Sequence, residues 1–373
     1  MLERVSIVVL FAVLSLVVSS LSLVAESPDS TNQQQNTLIA MPLINNNPVM
    51  KTGFGGIGMY MFAINPDDEV SPPSTAMLYG LYSTNKSYMF LLPLGLFLKE
   101  DAWRITAAVA TMRMNNDFAY ETDIGDLRLV YSELRTFYFI AANRRLAPNL
   151  YAGILYTGSQ ARYRFDQGAT EDNEFTKDLF EILGIGDNFV SSLGVSLSYD
   201  SRDYVYYPTA GWSLSIRPMY FATWLGGNND YASISYDVKH YKNFGEKHVL
   251  AMRFAGGHSV GDVPFDGYQS YGLRSTLRGY QAGKYRGKHM MGIQAEYRWQ
   301  FYKRLGLVGF AGVGTIWGQS DEEKDFFEKD LLPSVGTGLR FQLSPERKIN
   351  VRLDYAWGVN DNEGFYLGIM EAF

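Results

Sequence analysis

Residues 292–301 read GIQAEYRWQF. Ile293, Ala295, Tyr297, Trp299 and Phe301 fall on one face of an extended chain, and Gln294, Glu296, Arg298 and Gln300 fall on the other. Period two with one wholly apolar face describes a strand with one side out of water. Residues 349–357 repeat it, with Ile349, Val351, Leu353, Tyr355 and Trp357 against Asn350, Arg352, Asp354 and Ala356. From residue 51 onward such segments alternate with turn residues. Sixteen strands are predicted, at 51–64, 75–84, 87–98, 103–113, 116–122, 128–142, 149–166, 189–201, 211–224, 231–243, 248–260, 289–302, 305–317, 334–344, 348–358 and 364–373. The pattern is faintest at 116–122.

The connections differ in length. Asn85-Lys86, Lys303-Arg304 and Pro345–Arg347 are short, whereas 167–188, 261–288 and 318–333 are long. Short turns on one side and long loops on the other are the signature of an outer-membrane barrel, with the short turns periplasmic. The fold expected is therefore all-β, a sixteen-stranded antiparallel transmembrane β-barrel. A soluble sandwich would present freely mixed polar residues on its outer faces. Here the polar faces carry glycines and paired charges, and the apolar faces end in Tyr and Trp, which suit interface girdles. A propeller would show a repeat of ~40 residues, and none is visible.

Composition narrows the function. Cysteine is absent, which removes disulfides, thiolate metal sites and a cysteine nucleophile. A net charge of −6 argues against nucleic acid as a partner. Charged residues are 19% of the chain and aromatics 15%, against a usual charged share of ~25% in soluble domains. The mean hydropathy of −0.13 looks soluble, but alternating strands average out. At the start, Arg4 precedes an apolar run from Val5 to Val24, which ends in Leu23-Val24-Ala25. Residues 1–25 read as a secretory signal peptide rather than a spanning helix. The polar, Asn- and Gln-rich residues 26–50 read as a flexible periplasmic lead-in, and 51–373 as the barrel.

Within the loop 261–288 stands Ser275-Thr276-Leu277-Arg278-Gly279-Tyr280. It resembles the [VIL]RG[FY] signature of the BamA/TamA superfamily of outer-membrane proteins, the bacterial surface antigen family. Three further segments resemble that family in order. One is the turn Asp200-Ser201-Arg202-Asp203 with Pro208 and Gly211. The second is Gly336–Phe341 followed by Pro345 and Arg352–Ala356. The third is the closing strand Gly364–Phe373 with its terminal aromatic, Phe373. The resemblance places Leu277, Arg278, Gly279 and Tyr280 on a sixth extracellular loop, between the eleventh and twelfth strands. It implies an integral protein of the bacterial outer membrane that assists insertion or export of outer-membrane proteins through a seam between first and last strands. It also implies as partners the bilayer and its lipopolysaccharide, unfolded outer-membrane proteins and accessory lipoproteins. The family's periplasmic POTRA modules find no room in 26–50, so the chain resembles the short, POTRA-less members. A structural barrel or narrow, loop-plugged channel without clients stays open as the alternative. The family's acidic partner for the loop arginine falls on Gly312 here. By period two, Asp354 and Glu296 face inward and are the expected partners of Arg278, Asp354 first.

Other strings match enzymes only as text. Gly53–Gly58 satisfies G-x-G-x-x-G without the helix that a dinucleotide site needs. Gly257–Gly261 satisfies G-x-S-x-G around Ser259 without the strand–turn–helix of a nucleophile elbow. The histidines at 240, 248, 258 and 289 look scattered. No metal, cofactor or enzyme activity is expected. Acidic stretches at Glu171-Asp172 and Asp321–Glu323 read as solvated loop faces.

Overall fold

A computed structural model describes residues 36–47, 51–122, 125–165, 171–182, 185–271, 277–280, 283–318, 331–360 and 362–373. The signal-peptide segment, Ser275-Thr276 and Asp321–Glu323 lie outside these residues. Sixteen antiparallel strands form one sheet in chain order. They are β1 (Thr37–Asn47), β2 (Lys51–Phe62), β3 (Ser74–Ser83), β4 (Tyr88–Leu98), β5 (Trp103–Thr122), β6 (Gly125–Ala147), β7 (Leu150–Arg164), β8 (Asn188–Asp200), β9 (Gly211–Phe221), β10 (Tyr231–Asn243), β11 (His248–Gly261), β14 (His289–Tyr302), β15 (Leu305–Trp317), β16 (Leu332–Ser344), β17 (Ile349–Trp357) and β18 (Glu363–Ile369). Between β11 and β14 the long loop carries a two-stranded ribbon, β12 (Gln269–Ser270) and β13 (Arg286–Gly287). One helix, α1 (Glu171–Ile182), stands where only a loop was expected.

Alternation on β14 decides which medium each face meets. Gln294, Glu296 and Arg298 are 1%, 0% and 4% exposed, while Ile293, Tyr297 and Trp299 are 50%, 46% and 43% exposed. β16 does the same, with Val335 and Leu339 outside and Ser334 and Arg340 inside. Buried charge and exposed apolar side chains invert a soluble protein's order. A lipid-facing belt around a polar lumen satisfies both.

Sixteen strands were expected and sixteen are found, but two are divided differently, and others end elsewhere, such as β18 at Ile369 rather than 373. The barrel begins at Thr37, not at 51, so part of the supposed lead-in is β1. That strand is apolar on both faces (Thr37-Leu38-Ile39-Ala40-Met41-Pro42-Leu43-Ile44) and so lacks the period-two signal. Pro42 is tolerated because β1 pairs on one side only, with β2. The predicted segments 103–113 and 116–122 are one strand, β5, paired without interruption to β6. The missed strand shifts the parity of β2 to β4. The Asn85-Lys86 turn therefore lies at the same end as the long loops, opposite Lys303-Arg304 and Pro345–Arg347.

The lumen has two walls. On β1 to β5 it is apolar, with Ile39, Met41, Leu43, Ile57, Met59, Met61, Leu81, Met112 and Met114 in one cluster. On β14 to β17 it is ionic. The apolar cluster also holds Ile349, Val351 and Ile369, which alternation places on the outer face of β17 and β18, opposite Asp354. β1 lies against β18, yet the hydrogen-bonded order of the sheet ends at these two strands. The barrel thus closes there by apolar packing.

Candidate functional site

The loop between β11 and β14 folds into the lumen and delivers Arg278, which is 4% exposed. Its Nη1 lies 2.7 Å from Asp354 Oδ2 on β17, and its Nη2 lies 2.6 Å from Glu296 Oε2 on β14. Nε donates to Gln294 Oε1 at 3.2 Å. The guanidinium sits 3.5 Å over the Phe310 ring of β15. A planar fork with carboxylates at both prongs and an aromatic face beneath uses what distinguishes Arg from Lys.

The flanking residues fix the loop. Leu277 is fully buried with Tyr271, Tyr280 and Leu332. Gly279 has φ +99°, and a Cβ there would stand 2.9 Å from the Trp357 carbonyl carbon. Its N–H donates to Tyr366 Oη of β18 at 2.9 Å. Tyr280 Oη donates to the Pro333 carbonyl, and Ser334 Oγ to that of Arg278. Gly312 leaves the space that Leu277 uses: a Cβ at 312 would meet Leu277 Cδ1 at 2.9 Å and the Ile293 carbonyl oxygen at 2.6 Å. With the loop in this position, a side chain at 312 would have to displace Leu277 or the β14 backbone.

The arginine belongs to a larger network. Asp354 also takes Arg340 at 2.5 Å and Arg352 at 3.1 Å. Glu296 takes Arg298 at 2.8 Å, and Glu371 takes Arg340 at 2.8 Å. Arg298 continues toward the turn end, donating to the carbonyl oxygens of Pro208 (3.2 Å) and Phe373 (2.7 Å). Arg298, Arg340 and Glu371 were not singled out from the sequence. The signal was available for the first, since 294, 296 and 298 share one face.

The turn motif forms a second group. Asp200 accepts a two-pronged pair from Arg202 (2.8 and 2.9 Å) and a bond from Arg104 (2.7 Å). Arg104 also grips Asp101 and lies 3.9 Å over the Tyr151 ring. Asp203 receives Thr209 Oγ1 at 2.5 Å and the N–H groups of Tyr204, Thr209 and Ala210 at 3.0, 2.9 and 3.2 Å. Gly211, at φ +100°, ends the turn. Tyr206 Oη donates to the Pro73 carbonyl at 2.6 Å, tying this turn to the one before β3.

Phe373 corrects an expectation. β18 ends at Ile369, Met370 turns with φ +68°, and Phe373 is buried with Tyr241 and Ala251 on the lumen side of β10 and β11. The closing strand's aromatic therefore packs inside the barrel. At the loop end, buried Glu133 holds Arg135 at 2.6 Å and Arg286 of the long loop at 3.5 Å. Phe180 of α1 packs there on Tyr131, Tyr163 and Phe265.

Neither enzyme string gains the context it needs. Ser259 is a buried strand residue whose Oγ meets Gln269 Nε2 at 3.0 Å and Ser233 Oγ at 3.3 Å. Gly53–Gly58 lies within β2, paired with β1 and β3.

The chain is 27% identical over 197 residues to the outer membrane protein assembly factor BamA of Nitratidesulfovibrio vulgaris, a match spanning 48% of this chain and 24% of that protein. Among solved structures it resembles BamA from Haemophilus ducreyi lacking POTRA domains 1–3 (TM-score 0.53, 16% identity, 92% of this chain and 70% of that one). It also resembles CdiB from Escherichia coli (TM-score 0.59, 10% identity, 92% and 62%). The model of the Omp85 superfamily domain matches residues 106–373, a span that holds the loop arginine, its carboxylates and the turn motif. This integral outer-membrane barrel belongs to the Omp85 superfamily.

Proposed function

We propose that the protein assists insertion or export of other proteins, passing them along the line between β1 and β18. The observation that carries this is the sheet's ending there: two strands lie side by side without a ladder, held by apolar packing. An unpaired edge accepts a further strand through its free N–H and C=O groups. The glycines of β2 add support, since Gly53, Gly55, Gly56 and Gly58 weaken the strand next to that edge. Unfolded outer-membrane proteins and accessory lipoproteins are the partners this role requires. It requires no chemistry of the chain's own, so the protein is read as not an enzyme.

The second reading, a structural barrel or narrow channel, is favoured by the buried loop, which places Leu277, Arg278 and Tyr280 across the lumen. One experiment separates the two. Cysteine pairs are placed between Ile39, Met41 or Leu43 and Leu367 or Ile369. The chain has no cysteine of its own. Vesicles carrying the barrel are offered an unfolded eight-stranded outer-membrane protein, scored by protease-protected insertion. Under the proposal, oxidation stops insertion and reductant restores it. Insertion no faster than into empty vesicles, or unaffected by a verified crosslink, refutes the proposal.

A further inference from the structure

The histidines that look scattered in the sequence are not scattered in the register. His258 of β11 stands directly opposite His289 of β14. The adjacent pair is bonded through the backbone, Ser259 N–H to the Lys288 carbonyl at 2.7 Å. The two histidines therefore occupy a non-hydrogen-bonded pair, where antiparallel strands bring side chains closest. Ile234 pairs with His258, and Trp317 with His289, so both rings face outward at the loop end.

Their spacing suits a shared ligand. The ring centres are 5.5 Å apart. Two imidazoles on one tetrahedral ion with bonds of ~2.1 Å would have ring centres ~5.2 Å apart. Tyr236 Oη lies 3.3 Å from His258 Nε2. That is the outer hydrogen bond that orients a ligating imidazole and leaves its other nitrogen for the ion. Trp317 lies 5.6 and 5.3 Å from the two rings and walls one side. A girdle of interface aromatics explains Tyr236 and Trp317, but it does not call for two imidazoles at chelating distance.

We propose that His258 and His289 form a two-imidazole site for a divalent transition metal of the kind imidazole prefers, such as zinc, nickel or copper. Among the described residues no group of three or more His, Asp or Glu gathers for a metal. The site is therefore an open clip, with its other positions filled by water or headgroup oxygens. Its place gives it a role. His258 lies three residues before β11 ends and His289 opens β14, so the ion joins the two stems of the loop that carries Arg278.

The test uses zinc itself. A tag-free, chelator-stripped barrel folded in detergent is titrated with Zn²⁺ by calorimetry. The expected result is one ion per chain, weakened at least about tenfold by His258→Gln and by His289→Gln. His240→Gln, at the opposite end of β10, leaves binding unchanged. Zinc also slows proteolysis within 262–288 in the parent chain and in neither of the two clip variants. Heat-shifted mobility confirms that each variant is folded. No saturable binding near one equivalent, or parental affinity in either clip variant, overturns the proposal.

Discussion

Removing Asp354 should damage the protein more than removing Arg278, although the two form one ion pair. Around the loop arginine, Arg278, Arg298, Arg340 and Arg352 share Glu296, Asp354 and Glu371. In Arg278→Ala each carboxylate keeps a partner: Glu296 keeps Arg298 at 2.8 Å, and Asp354 keeps Arg340 at 2.5 Å and Arg352 at 3.1 Å. The loss is then the hydrogen bonds to Asp354, Glu296 and Gln294 and the contact with the Phe310 ring, each bond from the charged donor contributing roughly 1.5–3 kcal/mol and not additive, offset by relief of the cationic excess. A net cost of about 3 kcal/mol follows, on the scale of a single such bond. In Asp354→Asn, Arg278 keeps Glu296 and Arg340 keeps Glu371, but Arg352 loses its carboxylate in the lumen, and stranding a charge in the interior costs about 3–5 kcal/mol.

The assay is cleavage within 262–288 of the folded protein under conditions where opening and closing outpace the protease, so that the rate follows the open population. About 3 kcal/mol corresponds to roughly a hundredfold faster cleavage. Arg278→Ala should show that increase with the barrel intact. Asp354→Asn should show a larger one or a lower yield of folded barrel. The double variant should lie closer to Asp354→Asn than to the sum. Asp354→Asn cleaving no faster than Arg278→Ala, at equal yield, would refute the argument that the aspartate holds three cations.

Four further outcomes are expected. The protein should fractionate with the outer membrane and change mobility on boiling in detergent gels, since the strands between β1 and β18 pair their backbone groups within one sheet; soluble recovery without a heat shift would contradict this. Gly312→Asp, which restores the family's acid, should speed loop cleavage rather than slow it, because the side chain meets Leu277 Cδ1 and the Ile293 carbonyl; overpacking of this kind costs about 1–3 kcal/mol. Burial alone would raise the Asp203 carboxyl, but hydrogen bonds from Thr209, Ala210 and Tyr204 outweigh it and hold it below the ordinary aspartate range. Its stabilising effect is therefore complete above pH ~4 and lost as pH falls through the lower folded value, so acid should loosen the 201–210 turn in hydrogen exchange and Asp203→Asn should remove that acid dependence. Ser259→Ala should leave fold and phenotype unchanged, and labelling of Ser259 by a serine-hydrolase probe would overturn that.

Much of the site was legible because period two carries two facts at once. In 292–301 and 349–357 it marks a strand and tells which side chains share one face, so alternation, once the family resemblance had brought out Arg278, gave Glu296 and Asp354 as its expected partners. What failed to show had no periodic signal. β1 is apolar on both faces and runs into Asn45–Asn47, so it read as a lead-in. β5 was divided by its polar stretch Asn115–Asp117, where the neighbours Asn115 and Asn116 are both buried and alternation lapses. These two errors cancelled, leaving the strand count right and the Asn85-Lys86 turn at the wrong end. Phe373 followed the strand pattern in the sequence, but the reversal at Met370 is a matter of backbone geometry. The His258–His289 pair depends on cross-strand register, which is set by pairing over 31 residues of chain rather than by local pattern.

The division of the lumen bears on where such a barrel can part. A strand moved into lipid exposes its former inner face to hydrocarbon. For β14, β16 and β17 that face carries Glu296, Arg298, Arg340, Arg352 and Asp354, and a lipid-facing charge near the bilayer centre costs about 2–4 kcal/mol for Arg or Lys. For β1 and β2 it carries Ile39, Met41, Leu43, Ile57, Met59 and Met61, which lipid accepts about as readily as their own cluster does. Opening elsewhere also breaks a full ladder of backbone bonds, each unsatisfied group costing several kcal/mol in hydrocarbon, whereas β1 and β18 share none in the sheet order. Hydrogen bonding and side-chain chemistry thus select the same line. The loop arginine is built on the opposite side of that choice: Arg278 ties β14 to β17 through Glu296 and Asp354, and Gly279 ties to β18 through Tyr366. The loop braces the last strands as one charged wall, so that under the proposed role movement falls to the apolar first strands.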